Sequence, residues 1–190
     1  MYISEQLNKS SIAEYLLYMW QVEDVIRAYG LDIDDIADQY IPRFQLEPEH
    51  AVELIGWYES LINMMHEEGV EESGHLQINK NIIILLNDLH RQLLQSPKYP
   101  FYSAQYYKAL PFIVELRQAK KNSSQDTYSG GQEKSEIETC FDALYLVMLM
   151  RAQKKDIAPE TSAAIDNISK LLAMLSEYYK QDKANELELG

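Results

Sequence analysis

A chain of 190 residues, 46% hydrophobic and holding only seven glycines and six prolines, can build one domain with a substantial core but lacks the turn signals of a β-sandwich. Its formal net charge of −13 argues against sequence-independent nucleic-acid binding, which needs a basic footprint to release counterions. The longest charge-free apolar run falls well short of the roughly 20 residues that span a membrane. Met1 to Lys9 also lacks the basic-then-apolar order of a signal peptide, so the expectation is a cytoplasmic, all-α protein with no membrane segment.

Charge is unevenly placed. Ser10 to Asn79 carries 15 acidic and 2 basic residues, whereas Lys80 to Lys121 carries 2 acidic and 7 basic. The simplest consequence is that the basic middle packs against the acidic N-terminal part. The single cysteine, Cys140, allows no internal disulfide and suits a reducing compartment.

The first long helix is expected from about Ser11 to Tyr29. Ser11 and Glu14 have capping-box spacing, and Gly30 is the left-handed stop. Ile12, Leu16, Met19 and Ile26 form its apolar stripe, with Glu23 projecting into the middle and Arg27 one turn on. Asp32, Asp34, Asp35 and Asp38 invite a calcium-loop reading. Ile36 and Ala37 stand where that loop needs an oxygen ligand and a glycine, so the segment reads as a capped short helix ending before Pro42.

Pro48 opens the next helix, whose stripe runs from Ala51 to Met65 and which Gly69 closes. Trp57 and Met64 lie off that stripe, either covered by a second layer or part of a contact surface. Leu76 to Gln95 follows, with His90 on its apolar arc. Tyr99, Tyr102, Tyr106 and Tyr107, with Phe101 and Phe112, then read as aromatic helix packing with hydroxyls at the rim, and Pro111 should kink or divide this helix.

Asn122 to Lys134 is polar and carries Gly130-Gly131, the mark of a flexible loop. Beyond it Ser135 and Glu138 cap a helix through CFDALYLVMLM, residues 140–150, which its apolar content makes the expected centre of the fold. Arg151 ends it. Pro159 starts the last helix, and the tail at 184–190 should fray. Together these segments give one domain over 1–190, a bundle of five or six long helices.

The chemistry-bearing patterns are sparse. Glu47 with His50 and Glu72 with His75 have the Glu-x-x-His spacing of di-iron bundles, but both fall at helix beginnings, so neither a metal nor another cofactor is expected. No glycine-rich phosphate loop and no cysteine or serine nucleophile signature is present. Ionisable residues on or beside core faces stand out instead: Glu23, His90 and Arg151, flanked by Arg27 and His66. Buried groups of this kind demand partners, and Arg27 or Arg151 is the expected partner of Glu23.

The N-terminal segment SSIAEYLLYMWQVEDVIRA, with the length and all-helical plan, resembles the uncharacterised all-α proteins of Bacteroidetes grouped as a domain of unknown function. The resemblance covers most of the chain and implies a bacterial cytoplasmic protein, with no functional motif to carry over. Two readings of function stay open. One is a non-enzymatic bundle acting through protein contacts, as a homo-oligomer or on a protein partner. The other is a small-molecule binder or enzyme with a pocket between helices around Glu23 and His90, its binding residues drawn from Glu23, Arg27, His66, His90 and Arg151.

Overall fold

The computed structural model describes Leu7, residues 10–122 and residues 134–188. These residues are all-helical: α1 Ile12–Ala28, a single turn α2 Ile33–Asp35, α3 Pro48–Glu68, α4 Gln77–Gln95, α5 Pro100–Asn122, α6 Glu136–Ala152 and α7 Pro159–Lys183. Contacts group the chain into two compact units whose boundary, between Ile82 and Ile83, lies inside α4.

Local chemistry sets the ends of the helices in the first unit. Ser11 Oγ accepts from the Glu14 N–H at 3.4 Å, supplying one partner for the unpaired donors of the first turn of α1. At its C-terminus Gly30 adopts φ +64°, and the N–H groups of Gly30 and Leu31 bond back to Arg27 and Ile26, a Schellman ending. Asp32 caps α2 by accepting from both Asp34 and Asp35. The chain does not stop there, however: a π turn over Ile36–Tyr40 and a 3-10 turn over Ile41–Phe44 carry it past Pro42, which is tolerated because it falls in the first turn of the new helical segment.

The core of this unit is built by Met19, Val22 and Ile26 of α1, by Tyr58, Leu61, Ile62 and Met65 of α3, and by Ile36, Ile41, Val70 and Leu76 between the helices. Trp57 and Met64 are partly buried against it, so they extend the core rather than offer a free surface.

In the second unit α5 packs against α7 and α6, and α6 against α7. Its buried apolar residues include Leu86, Leu89 and Leu93 of α4, Ile113 of α5, Phe141 and Val147 of α6, and Ile168 and Leu171 of α7. Helix α5 runs unbroken through Pro111, which lies on its exposed side. The polar segment expected as a loop falls at 123–133, outside the described residues; Asn122 is the last residue of α5.

Helix α6 corrects the expectation that it is the most buried. Its apolar run is covered on one side only: Phe141 is fully buried, whereas Leu146 is 59% exposed and Arg151, in its last turn, is exposed. Helix α1 buries more of its length, including Glu23. Apolar content says that a helix wants cover, but which side gets it depends on where the neighbouring helices lie.

Two truncations on α6 test this asymmetry. Phe141→Ala should cost about 3–5 kcal/mol in urea unfolding, and Leu146→Ala should stay within about 0.5 kcal/mol of wild type. Equal losses would mean that the helix is wrapped on both sides.

Candidate functional site

Glu23 is the most deeply placed charged side chain of the first unit, with 0% exposure. Helix α4 explains why. The Leu76 carbonyl accepts from the Asn79 and Lys80 N–H groups, so Leu76 occupies the cap position and has no side-chain oxygen to offer. Carboxylates from other helices take over: Glu23 Oε1 accepts from the Leu76 N–H at 2.9 Å, and Glu68 Oε2 accepts from the Gln77 N–H at 2.6 Å. Negative charge at a helix N-terminus is also favoured by the macrodipole.

The rest of the Glu23 carboxylate is engaged as well. Asn79 Nδ2 donates to Oε1 at 2.7 Å, and His75 Nδ1 lies 2.6 Å from Oε2. A carboxylate only accepts, which places the His75 proton on Nδ1. The imidazole stacks on Trp20 with centroids 4.1 Å apart and planes 13° from parallel. Burial is thus matched by three hydrogen bonds, which is what a buried charge requires.

Arg27 is not the partner of Glu23. Its Nη1 pairs with Asp24 at 3.1 Å, and its Nη2 donates to the carbonyls of Val70 at 3.1 Å and Gly74 at 2.6 Å. Arg27 therefore ties down the connection between α3 and α4 while Glu23 caps the helix that follows. His66 is exposed and lies 3.3 Å from Glu71.

His90 anchors a second buried polar group, in the second unit. Its Nδ1 lies 2.6 Å from the Tyr102 hydroxyl, and its ring meets those of Tyr102 and Tyr106 edge-on. Nε2 is 3.7 Å from Glu136 Oε2, an ion-pair separation rather than a hydrogen bond. Glu136 also accepts from the Tyr106 hydroxyl at 2.9 Å and lies 3.7 Å from Arg117 Nη1. His90, then Tyr106 and Arg117, hold the Glu136 carboxyl below its usual range, against the opposing effect of partial burial. Burial first, then the bond to Glu136, pushes the Tyr106 hydroxyl up to about 12. Burial likewise raises the Tyr102 hydroxyl. Cys140 is pushed up to about 12, again by burial, so its thiol stays protonated near neutrality and is a poor nucleophile.

Of the five residues singled out from sequence, Glu23 and His90 each lead a buried group, Arg27 flanks the first, and His66 and Arg151 are exposed. Sequence reading missed His75, Asn79, Tyr102, Tyr106, Glu136 and Arg117 as partners. A signal for one existed: Asn79 sits three residues after Leu76, in a first turn with no cap of its own. The Glu72-x-x-His75 spacing misled, since the carboxylate that meets His75 is Glu23. Among the described residues no group of three or more His, Cys, Asp or Glu is placed to hold a metal ion, and no helix is long and apolar enough to cross a membrane.

The chain belongs to the family described as a domain of unknown function, DUF4924, whose model matches residues 1–186. No curated protein and no solved structure matches it.

Two outcomes follow from the geometry. Glu23→Gln sets an amide N–H₂ against donors that a carboxylate satisfied, and thermal or urea unfolding should show a loss of about 3–5 kcal/mol; a melt within error of wild type would place Glu23 in water. Glu136, whose folded pKa is depressed, contributes stability above the ordinary carboxylate value of 4.5, and that contribution disappears as pH falls through the folded pKa. The stability gap between wild type and Glu136→Gln should accordingly be largest at neutral pH and close below 4.5. A gap that widens on acidification would contradict the assignment.

Proposed function

We propose that this member of the family is a non-enzymatic helical-bundle protein that works through protein contact and associates with a second copy of itself. The observation that carries this reading is the outward face of α5, where Phe101 is 80% exposed, Tyr107 66% and Val114 42%. These residues recur at six- and seven-residue spacing, which lines them along one side of the helix with exposed Ala104 and Pro111 between. An apolar stripe of this kind on a helix whose other faces already pack against α6 and α7 is characteristic of a contact surface.

Charge favours a second copy as the occupant. Lys80 to Lys121 is net basic within a chain of net charge −13, so another molecule of the same protein supplies the acid that this stretch lacks. The polar groups point the same way, because Glu23 and His90 are engaged by the protein's own side chains and backbone rather than held ready for a substrate. A single-domain bundle, a bacterial origin and a cytoplasmic setting complete the reading. The lone, buried Cys140 supports the last of these.

Sedimentation velocity tests the association. Wild type should run as a dimer or larger, and Tyr107→Lys should shift it to monomer with an unchanged circular-dichroism spectrum. A wild type that sediments as monomer across its soluble range would overturn the proposal.

A further inference from the structure

The outward face of α3 has no packing role inside the chain. Glu49, Val52, Glu53, Gly56, Glu59 and Asn63 recur at three- and four-residue spacing, and all are exposed, Val52 by 70%. Gly56 stands out among them. Glycine in a helix interior is worse than every residue except proline, and here a Cβ would meet nothing within 4 Å, so no neighbour in this chain calls for its absence. What the missing side chain permits is the close approach of another backbone. One turn on, Ser60 Oγ folds back onto the Gly56 carbonyl at 2.8 Å and keeps the surface low there too.

The charges around that depression select the occupant. Glu49, Glu53 and Glu59 border it, with His50 3.7 Å from Glu53, so two α3 faces would repel one another. An apolar helix with a basic rim fits. The outward face of α5 is such a helix, with exposed Lys108 beside Tyr107 in a stretch of 7 basic and 2 acidic residues.

Resting on the self-association proposed above, we infer that the outward face of α3 receives α5 of a second copy. Val52 and the Gly56 depression meet the aromatic side chains of α5, and Lys108 lies among Glu49 and Glu53. In a two-fold dimer residue i meets residue j and j meets i, so each copy offers both faces and the assembly closes.

Sedimentation equilibrium on the full chain tests this. Val52→Lys and Gly56→Gln should each raise the dimer dissociation constant by about tenfold or more, although Gln is the better helix former. Glu53→Lys and Lys108→Glu should each weaken association, and the double variant should recover most of the loss. If Gly56→Gln fails to fold, Val52→Lys, at an exposed position, carries the same test. If Tyr107→Lys dissociates the assembly while both α3 variants leave its dissociation constant unchanged, self-association stands and the α3 contact is overturned, as it is if the double charge swap restores nothing. A monomeric wild type removes both proposals.

Discussion

The first unit depends on one carboxylate. Helix α4 begins at a leucine, with no side-chain oxygen at its cap, and a helix start buried without partners for its N–H groups is strongly disfavoured. Glu23 supplies the partner from α1, where it sits among core residues because that is where α4 begins. The charge that seemed out of place in an apolar stripe is therefore the reason that α1 and the start of α4 have a fixed register. Glu68 repeats the device from α3 at the next N–H, and Arg27 holds the intervening carbonyls. Three side chains from two helices thus organise a connection that has little regular structure of its own.

The second unit handles polarity similarly with different chemistry. A tyrosine buried in a helix interface brings a hydroxyl that must be bonded, and Tyr102 meets His90 while Tyr106 meets Glu136. Because Glu136 is the first residue of α6, these bonds also set where that helix starts against α4 and α5. Arg117 reinforces the same place, donating to the Lys134 carbonyl at 3.2 Å. Neither polar group needs a substrate to account for it, which is why the functional weight moves to the outward faces of α3 and α5.

What could be read from the chain was whatever lies within a turn or two of itself. The caps at Ser11, Asp32 and Ser135, the glycine stops at Gly30 and Gly69, and the prolines opening α3 and α7 all follow from bonds spanning a few residues. Helical stripes were equally legible, since the period of 3.6 is a local property. Partnerships across the chain were not. Glu23 meets residues 52 to 56 positions away, and nothing in its own helix distinguishes them from Arg27, which has the favourable spacing but points to the α3–α4 connection. Arg151 illustrates the complementary failure: its position extends the buried stripe of α6 by one turn, but at the helix end no neighbour remains to cover it.

The central claim is that Glu23 is a structural cap for α4, held in place whenever the protein is folded. Native-state hydrogen exchange at the Leu76 amide tests it most directly, because first-turn amides of helices ordinarily lack a partner and exchange readily. If Glu23 holds that N–H, Leu76 should exchange only through global unfolding, as slowly as the core amides of α1 and far more slowly than Thr161 in the first turn of α7, which no side chain caps. Exchange at Leu76 as fast as at Thr161 would mean that the carboxylate is not bound there, and the account of this unit would fail.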